Sequence, residues 1–323
     1  MLYPFTFEPN FQERIWGGRR LETLYRKTLP SGKSIGESWE ICDRPDTESI
    51  VTNGPLKGQS LRWLMENHQG ELLGDYPSKK GRFPWLAKML DAEADLSVQV
   101  HPPAAIAKAL KGEPKTEAWF IAHAEPSARL IAGLSATVTE AQFNEKIGQP
   151  DFADCLHHIP AQAEQSLFIP SGRLHALGAG TVVFEIQENS DTTYRIYDWD
   201  RTGLDGQPRD LHIDQALKAI DFEDHEPTLC PANWSKSDGF SSYLIADQPE
   251  IFRLSHVRMD DPVRLSLPGK GPRLIAVTHN SLALNSKNIT LELAAGQFAL
   301  VPASAEEVTI QGQAARFLLT QPA

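Results

Sequence analysis

Cysteine is scarce in this chain, which has three in 323 residues. Cys42, Cys155 and Cys230 are widely spaced and odd in number, so they fit neither a disulfide framework nor a cysteine zinc site. The sequence begins without the basic residues and the apolar stretch of a signal peptide. No segment approaches the roughly 18 apolar residues that a membrane span needs. We therefore predict a cytoplasmic protein with no membrane partner.

Positive charge is also in short supply. Lysine and arginine number 31 against 42 aspartates and glutamates, so the net charge is −11, and no basic run exceeds two residues. This balance argues against nucleic acid as the main partner, although an anionic small molecule could still bind in a locally cationic pocket. The segment Ser31-Gly32-Lys33-Ser34 resembles the end of a phosphate-binding P-loop. Lys27 stands where that motif needs its first glycine, so we interpret the segment as a loop.

Short runs of alternating apolar and polar residues, separated by proline and glycine, dominate the chain and predict a mainly β fold with a few short helices. Helical patterns are local: residues 61–67 after a capping Ser60, and residues 104–111, 139–147 and 210–220. After about residue 231 the strands become short and closely spaced, as in a sandwich or jelly roll. We therefore predict two domains, residues 1–235 and 236–323.

One strand carries an unusual polar face. In LSVQVHPP, residues 96–103, apolar residues alternate with Ser97, Gln99 and His101, which share one side of the strand. Two later segments offer similar chemistry, since Glu117 begins an apolar strand and His175 follows a Pro-Ser-Gly turn. In a barrel these side chains could converge on a divalent ion, with zinc the best match. An ordinary hydrogen-bonded surface remains the alternative that spacing alone leaves open.

The segment from Val183 to Arg201 is richer in polar and aromatic residues than a hairpin turn requires. Arg195 and Arg201 are the kind of donors that a phosphate or an enediolate oxygen selects. The alternative is structural: Asn189-Ser190-Asp191 forms the turn and aromatic residues pack on either side of it.

Six segments occur in the order GKSIGESWEI, FPWLAKML, LSVQVHPP, PKTEAWFI, IPSGRLHALG and EIQENSDTTYRIYDWDR. This ordered set resembles that of the type I phosphomannose isomerases, which are metal-dependent enzymes of the cupin fold. The resemblance covers about residues 16–222, while the last third matches only in its all-β texture. It implies cupin or jelly-roll β-barrels, with the catalytic cupin domain in residues 1–235 and a jelly-roll-like domain in residues 236–323.

The resemblance also implies a site. The family's metal ligands fall on Gln99, His101, Glu117 and His175, which would hold one Zn²⁺ per chain. The expected catalytic residues are Arg195, Glu185 and Lys115. Four further residues are expected to bind the substrate: Lys88, Ser97, Arg201 and Glu37.

Two departures from the family pattern stand out. Many relatives have P-A-G-T-x-H before the second histidine ligand, where this chain has Pro170-Ser-Gly-Arg173-Leu-His175. Longer relatives carry a helical insert between the glutamate and that histidine. Only 58 positions separate Glu117 from His175 (175 − 117), so we expect the insert to be reduced to two short helices within about residues 137–160.

The activity that the resemblance implies is the interconversion of mannose 6-phosphate and fructose 6-phosphate through a cis-enediol. The expected partner is a small sugar phosphate, and the expected assembly is a monomer or a weak homo-oligomer. A non-catalytic, metal-containing sugar-binding cupin is the alternative function. An iron cupin oxygenase fits less well, because Gln99 stands where the histidine-rich ligand set of such enzymes has its first histidine.

Overall fold

The computed structural model describes residues 2–78, 80–259, 263–266, 271–287, 289–305 and 307–323. Within these ranges the chain is mainly β, as predicted. The strands run in this order: β1 Asn10–Gly18, β2 Ile35–Ile41, β3 Asp43–Arg44, β4 Thr47–Glu48, β5 Trp85–Ala92, β6 Val98–Val100, β7 Glu117–Ala124, β8 Arg129–Leu134, β9 Leu156–Pro160, β10 Ser166–Ile169, β11 His175–Leu177, β12 Thr181–Glu188, β13 Tyr194–Tyr197, β14 Ser235–Ser237, β15 Phe240–Gln248, β16 Phe252–Met259, β17 Val263–Ser266, β18 Arg273–His279, β19 Ser281–Ser286, β20 Ile289–Ala294, β21 Phe298–Val301, β22 Thr309–Gly312 and β23 Arg316–Gln321.

The helices of the described residues are few and short. They are α1 Arg20–Tyr25, α2 Leu61–Leu73, α3 Ala104–Ala107, α4 Glu140–Lys146 and α5 Ile213–Ala219, with one 3-10 turn at Phe152–Cys155. The longest, α2, has 13 residues. In the ranges given above, no helix is long and apolar enough to cross a membrane.

The chain divides into two compact units. The terminal unit contains Met1–Asn10, Ser38–Met89 and Pro231–Ala323, and the central unit contains Phe11–Glu37 and Leu90–Cys230. Both units are discontinuous in sequence, because strands β2 and β5 each run from one unit into the other. The division of the chain between residues 235 and 236 stays a prediction.

The central unit is built on two sheets. The first has the strand order β1-β2-β5-β12-β7-β10, and its last three strands lie wholly in this unit. The second has the order β13-β6-β11-β8-β9. The paired strands for which a register is given are antiparallel, so alternate residues of a strand face opposite sides of its sheet.

Alternation on β6 separates the core of the central unit from a polar face. Val98 and Val100 are fully buried in an apolar cluster with Phe143, Phe152 and Ile196. Gln99 lies between the two valines and therefore points to the other side of the sheet. This arrangement is the one that the alternating pattern predicts.

Strand β6 has only three residues. Just before it, the Leu96 N–H donates to the Leu177 carbonyl of β11 at 2.9 Å, and the Leu96 carbonyl accepts a hydrogen bond from the indole nitrogen of Trp199 at 2.7 Å. Helix α3 is also short. Lys111 adopts a left-handed backbone, and the Gly112 N–H donates to the carbonyl of Ala107 at 2.8 Å, which closes the turn.

Helix starts follow their capping residues. The Ser60 hydroxyl accepts a hydrogen bond from the Trp63 N–H at 3.0 Å, as predicted, and α2 continues to Leu73. Thr139 and Gln142 form a capping box at the start of α4. Helix α4 and the 3-10 turn are the helical structure of the described residues between Glu117 and His175.

The terminal unit contains the other large sheets, with the orders β14-β15-β16-β23-β18-β21 and β17-β22-β19-β20. Their apolar faces form a separate core that includes Val257, Ile275, Leu284 and Phe317. Near the start of the chain, Phe5 exchanges two backbone hydrogen bonds with Leu300 of β21, at 2.8 and 2.9 Å. Residues from both ends of the sequence therefore build this unit.

Candidate functional site

Three strands bring the four predicted metal ligands together in the central unit. His175, the first residue of β11, pairs directly opposite Gln99 of β6. His101 lies two residues beyond Gln99, just past the end of the strand. Glu117 is the first residue of β7. Three of the ligands thus sit at strand ends, and Gln99 lies in the middle of β6.

The ring nitrogens and the carboxylate converge. Glu117 Oε2 lies 3.4 Å from His101 Nε2, and Glu117 Oε1 lies 3.3 Å from His175 Nε2. One ligand atom of each residue falls within 4.8 Å of the others, and all three side chains are at most 1% exposed. The Gln99 amide nitrogen is 3.3 Å from His175 Nε2, so the amide borders the cluster. Its oxygen would have to take that position to bind a metal.

Backbone carbonyls set the protonation of both histidines. His101 Nδ1 lies 2.8 Å from the carbonyl oxygen of Thr192, and His175 Nδ1 lies 2.9 Å from that of Arg173. Because a carbonyl can only accept, each Nδ1 carries the proton and each Nε2 presents a lone pair to the centre. Burial lowers the pKa of His101 to about 3 and also lowers the pKa of His175. Both rings are therefore neutral near pH 7.

Among the described residues, Lys115 is the one cation that contacts the cluster of His101, Glu117 and His175. Its Nζ lies 2.7 Å from Glu117 Oε2 and 3.1 Å from His101 Nε2, and its side chain is buried. Burial opposes ionisation of Glu117, but the charge of Lys115 outweighs it and holds the pKa well below its usual range. Lys115 was predicted as a catalytic residue, but its direct contact with two ligands was not.

The donor set fits a zinc ion. Apart from the ion pair with Lys115, the oxygens of Glu117 accept no hydrogen bond among the described residues, although the side chain is fully buried. Lys115 reaches Oε2, whereas Oε1 faces the lone pair of His175 Nε2 and has no donor among the described residues, which is costly for a buried carboxylate unless a cation lies there. Two imidazole lone pairs and a carboxylate are ligands that zinc prefers. His101, Glu117 and His175 could thus hold the metal, with Gln99 beside them.

Glu185 is held by a tryptophan on the neighbouring strand. Its Oε2 accepts a hydrogen bond from the indole Nε1 of Trp119 at 2.8 Å. The two residues pair directly across β12 and β7, and both are almost fully buried. The position of Trp119, two residues after Glu117 and so on the same face of β7, was the signal available in the sequence.

Arg195 lies on the strand next to one of the predicted metal ligands. It pairs with Gln99 across β13 and β6, and its Nη1 donates to the carbonyl of Asp210 at 2.8 Å. Its buried Nε has no hydrogen-bond partner in the described part of the chain. Burial, and next the charge of Arg209, lower the pKa of this guanidinium. A buried donor without a partner, close to predicted metal ligands, is available to an anionic group.

Arg201 shares an acceptor with an arginine that sequence analysis missed. Asp198 Oδ1 accepts from Arg201 Nε and Nη2 at 3.2 and 3.0 Å, and Asp198 Oδ2 accepts from Arg209 Nε at 2.7 Å. Asp198 is 6% exposed, whereas both guanidinium side chains are about one-fifth exposed. One carboxylate therefore binds two guanidinium groups, and the three side chains together carry a net positive charge.

The remaining predicted residues have separate surroundings. Ser97 is buried two positions before Gln99, on the same side of the chain. Glu37 Oε1 on β2 accepts a hydrogen bond from Arg14 Nε at 2.7 Å. Arg14 was not among the predicted site residues. Lys88 belongs to the terminal unit, where its Nζ lies 4.7 Å above the Trp39 ring. The roles of these residues in substrate binding stay predictions.

Gln187 completes the polar surroundings of Glu117. It pairs with Glu117 across β12 and β7, is fully buried, and donates from Nε2 to the carbonyls of Glu188 and Ser190 at 2.8 and 2.6 Å. Those bonds hold the turn that supplies the Thr192 carbonyl to His101. A turn at Asn189-Ser190-Asp191 was the structural alternative for this segment, and its connection with the ligand was not predicted.

A mainly β fold with a buried His-Glu-His cluster defines the class as a protein with a site suited to a divalent metal. A family model described as phosphomannose isomerase type I, catalytic domain, matches residues 5–113. A probable mannose-6-phosphate isomerase of Bacillus subtilis, GmuF, is 36% identical over 325 residues, which cover all of both chains. The chain belongs to the type I phosphomannose isomerase family.

Solved structures agree with this assignment. The mannose 6-phosphate isomerase from Bacillus subtilis superimposes with a TM-score of 0.89 at 31% identity, covering 99% of this chain and 100% of its own. A zinc-bound mannose 6-phosphate isomerase superimposes with a TM-score of 0.77, covering 99% of this chain and 100% of its own. At 16% identity the second match shows the fold alone. The family resemblance inferred from the six sequence segments is thus confirmed.

Proposed function

We propose that this chain is a zinc-dependent isomerase that interconverts mannose 6-phosphate and fructose 6-phosphate. The observation that carries the proposal is the buried convergence of His101, Glu117 and His175 in a chain related over its full length to a probable mannose-6-phosphate isomerase. We propose one Zn²⁺ per chain, with Gln99 as the fourth ligand. When bound, the metal would polarise the oxygens of the sugar.

The residues around the cluster suit the proposed chemistry. The reaction moves a proton from C2 to C1 through a cis-enediolate, so it needs a base and a donor for the charged oxygen. Glu185 is the proposed base, because it is a buried carboxylate held in place by a hydrogen bond. Arg195 is the proposed donor, because its buried Nε has no partner among the described residues.

We place Lys115 at the sugar oxygens as a second cation, since its Nζ already borders the ligands. Arg201 and Ser97 are proposed to bind the phosphate, together with Lys88. Glu37 is proposed as a further substrate contact. These assignments give the anionic substrate cationic partners in a chain whose net charge is −11.

The proposal also covers the cellular location, the oligomeric state, the catalytic domain and the small-molecule partner. We propose that it acts in the cytoplasm as a monomer or a weak homo-oligomer, with residues 1–235 as the catalytic domain. A sugar phosphate as the small-molecule partner fits the family.

A coupled assay that converts mannose 6-phosphate to fructose 6-phosphate tests the function. The protein is assayed as purified, after chelation and after zinc is returned. Activity should fall on chelation and recover with zinc. An absence of activity in all three states would refute the enzyme and leave the sugar-binding cupin as the alternative.

Two sets of variants test the residues. His101→Ala and His175→Ala should lose stoichiometric zinc, and retention of the metal would contradict the ligand set. Arg195→Ala should lower kcat by about 10²–10³-fold, the usual cost of an oxyanion donor. Arg253→Ala is the control, because the Arg253 side chain is 42% exposed and forms an ion pair only with Asp247 among the described residues. It should keep wild-type turnover.

A further inference from the structure

Trp119 contacts two functional groups with one ring. Its indole N–H donates to Glu185 Oε2 at 2.8 Å, and its ring meets the His175 ring edge-on at 5.6 Å between centroids. We propose that Trp119 is a positioning residue, whose N–H fixes the carboxylate of Glu185 for proton transfer. This inference rests on the proposed function and deepens it.

The sheet register places the two residues of this contact opposite each other. Trp119 and Glu185 pair directly across β7 and β12, and Glu117 pairs with Gln187 two positions along the same strands. Because side chains alternate along a strand, all four lie on the same face of the sheet. Trp119 is 1% exposed and Glu185 is 3% exposed. The buried indole ring of Trp119 therefore connects the proposed base, Glu185, with the predicted ligand His175, and it has little freedom to move.

The chemistry of the indole explains why a tryptophan suits this place. An indole N–H donates and never accepts, so its bond favours the ionised carboxylate, the form that can take a proton. The donor is neutral, so it adds no charge beside Lys115 and the metal ligands. A glutamate without this bond could adopt other rotamers, and proton transfer needs the acceptor within hydrogen-bond reach of the carbon.

Trp119→Phe removes the N–H and keeps an aromatic ring. The variant should lower kcat about 10-fold, a part of what a positioned base contributes, while KM for mannose 6-phosphate and zinc content stay near wild type. The acid limb of the kcat–pH profile should move to higher pH, because without the bond Glu185 takes up a proton more readily. A purely structural role would not move that limb.

A matched control exists in the terminal unit. Trp85 is also fully buried, and its Nε1 donates to the carbonyl of Ile251 at 2.7 Å. Trp85→Phe removes the same N–H and the same volume from a hydrogen bond with a backbone acceptor. It should leave kcat and the acid limb unchanged, so any effect common to both variants measures loss of packing.

Two further measurements keep the inference falsifiable if Trp119→Phe folds poorly. Incorporation of 3-benzothienylalanine at position 119 replaces the N–H by sulfur in the same bicyclic shape, and it should cause the same fall in kcat. In a Glu185→Gln background, Trp119→Phe should cause no further loss, because the side chain it acts through no longer carries the proton.

Each outcome decides between the two proposals. An inactive wild type would refute the proposed function and this inference with it. An active wild type whose Trp119→Phe variant keeps its acid limb and kcat would overturn the inference alone. So would an equal 10-fold loss in the Glu185→Gln background.

Discussion

Replacing Lys115 by methionine should destabilise the metal-free protein strongly. Methionine keeps most of the length and volume of the side chain but removes the charge. It leaves Glu117 fully buried beside two imidazoles that are neutral near pH 7, without the cation that now lies 2.7 Å from Oε2. The perturbation therefore isolates the electrostatic part of the contact.

The geometry sets the size of the effect. At 2.7 Å and an effective dielectric constant of about 20, two unit charges attract by about 6 kcal/mol. Removing one partner of a buried pair costs roughly 3–5 kcal/mol, because the remaining charge stays out of water. We expect a loss in the free energy of unfolding within that range at pH 7.

An exposed pair of similar length in the central unit provides the control. Lys33 Nζ lies 2.9 Å from Glu13 Oε2, but the side chains are 53% and 34% exposed. Lys33→Met should therefore cost less than about 1 kcal/mol, as is usual for surface ion pairs. The two variants differ mainly in the burial of the pair.

Urea unfolding in the presence of EDTA, followed by circular dichroism and tryptophan fluorescence, measures both variants against the wild type. A second series with excess zinc should show a smaller loss for Lys115→Met, since the metal then supplies a cation to Glu117. Equal losses for Lys115→Met and Lys33→Met in EDTA would refute the reasoning.

Three other predictions concern pH, the shared carboxylate and a helix cap. The pKa of His101 is about 3 in the folded chain and near 6.5 in the unfolded chain. Its contribution to stability is therefore complete above pH 6.5 and is lost as the pH falls toward 3, by about 1.4 kcal/mol per pH unit. Urea unfolding in EDTA should show a flatter pH profile for His101→Gln. Asp198→Asn should release Arg201 and Arg209 and raise KM for mannose 6-phosphate several-fold with normal zinc content; an unchanged KM would exclude them from phosphate binding. Ser60→Ala should cost about 1 kcal/mol of unfolding free energy, and Ser60→Asp, which still caps α2, should cost less than half as much.

The alternating pattern of residues 96–101 was sufficient to predict which side chains share a face. Val98 and Val100 enter the core, and Gln99 and His101 face away from it, because the period of a strand is two whatever it packs against. Strand and helix lengths were less predictable. Strand β6 covers only three residues, and the Leu96 carbonyl binds the indole nitrogen of Trp199, a contact that no local pattern records.

Residue types were easier to predict than their pairings. Lys115 and Arg201 were placed in the pocket through the family motifs, while their pairing with Glu117 and with Asp198 was not predicted. Whether an ammonium meets Glu117, or Arg209 shares Asp198, depends on where separate strands and loops meet in space. Trp119 is buried, as is usual for a large apolar ring, but its one polar atom binds Glu185, and no local pattern records that contact.

The hydrogen bond from His175 to position 173 has an evolutionary consequence. The acceptor is the Arg173 main-chain carbonyl, whereas the Arg173 side chain turns to Asp224 with N–O distances of 2.7 and 2.8 Å. Every amino acid carries that carbonyl, so mutation at this position can change the side chain without changing the tautomer of the histidine. A substitution at position 173 therefore removes the ion pair with Asp224 and leaves the acceptor of His175 Nδ1 in place.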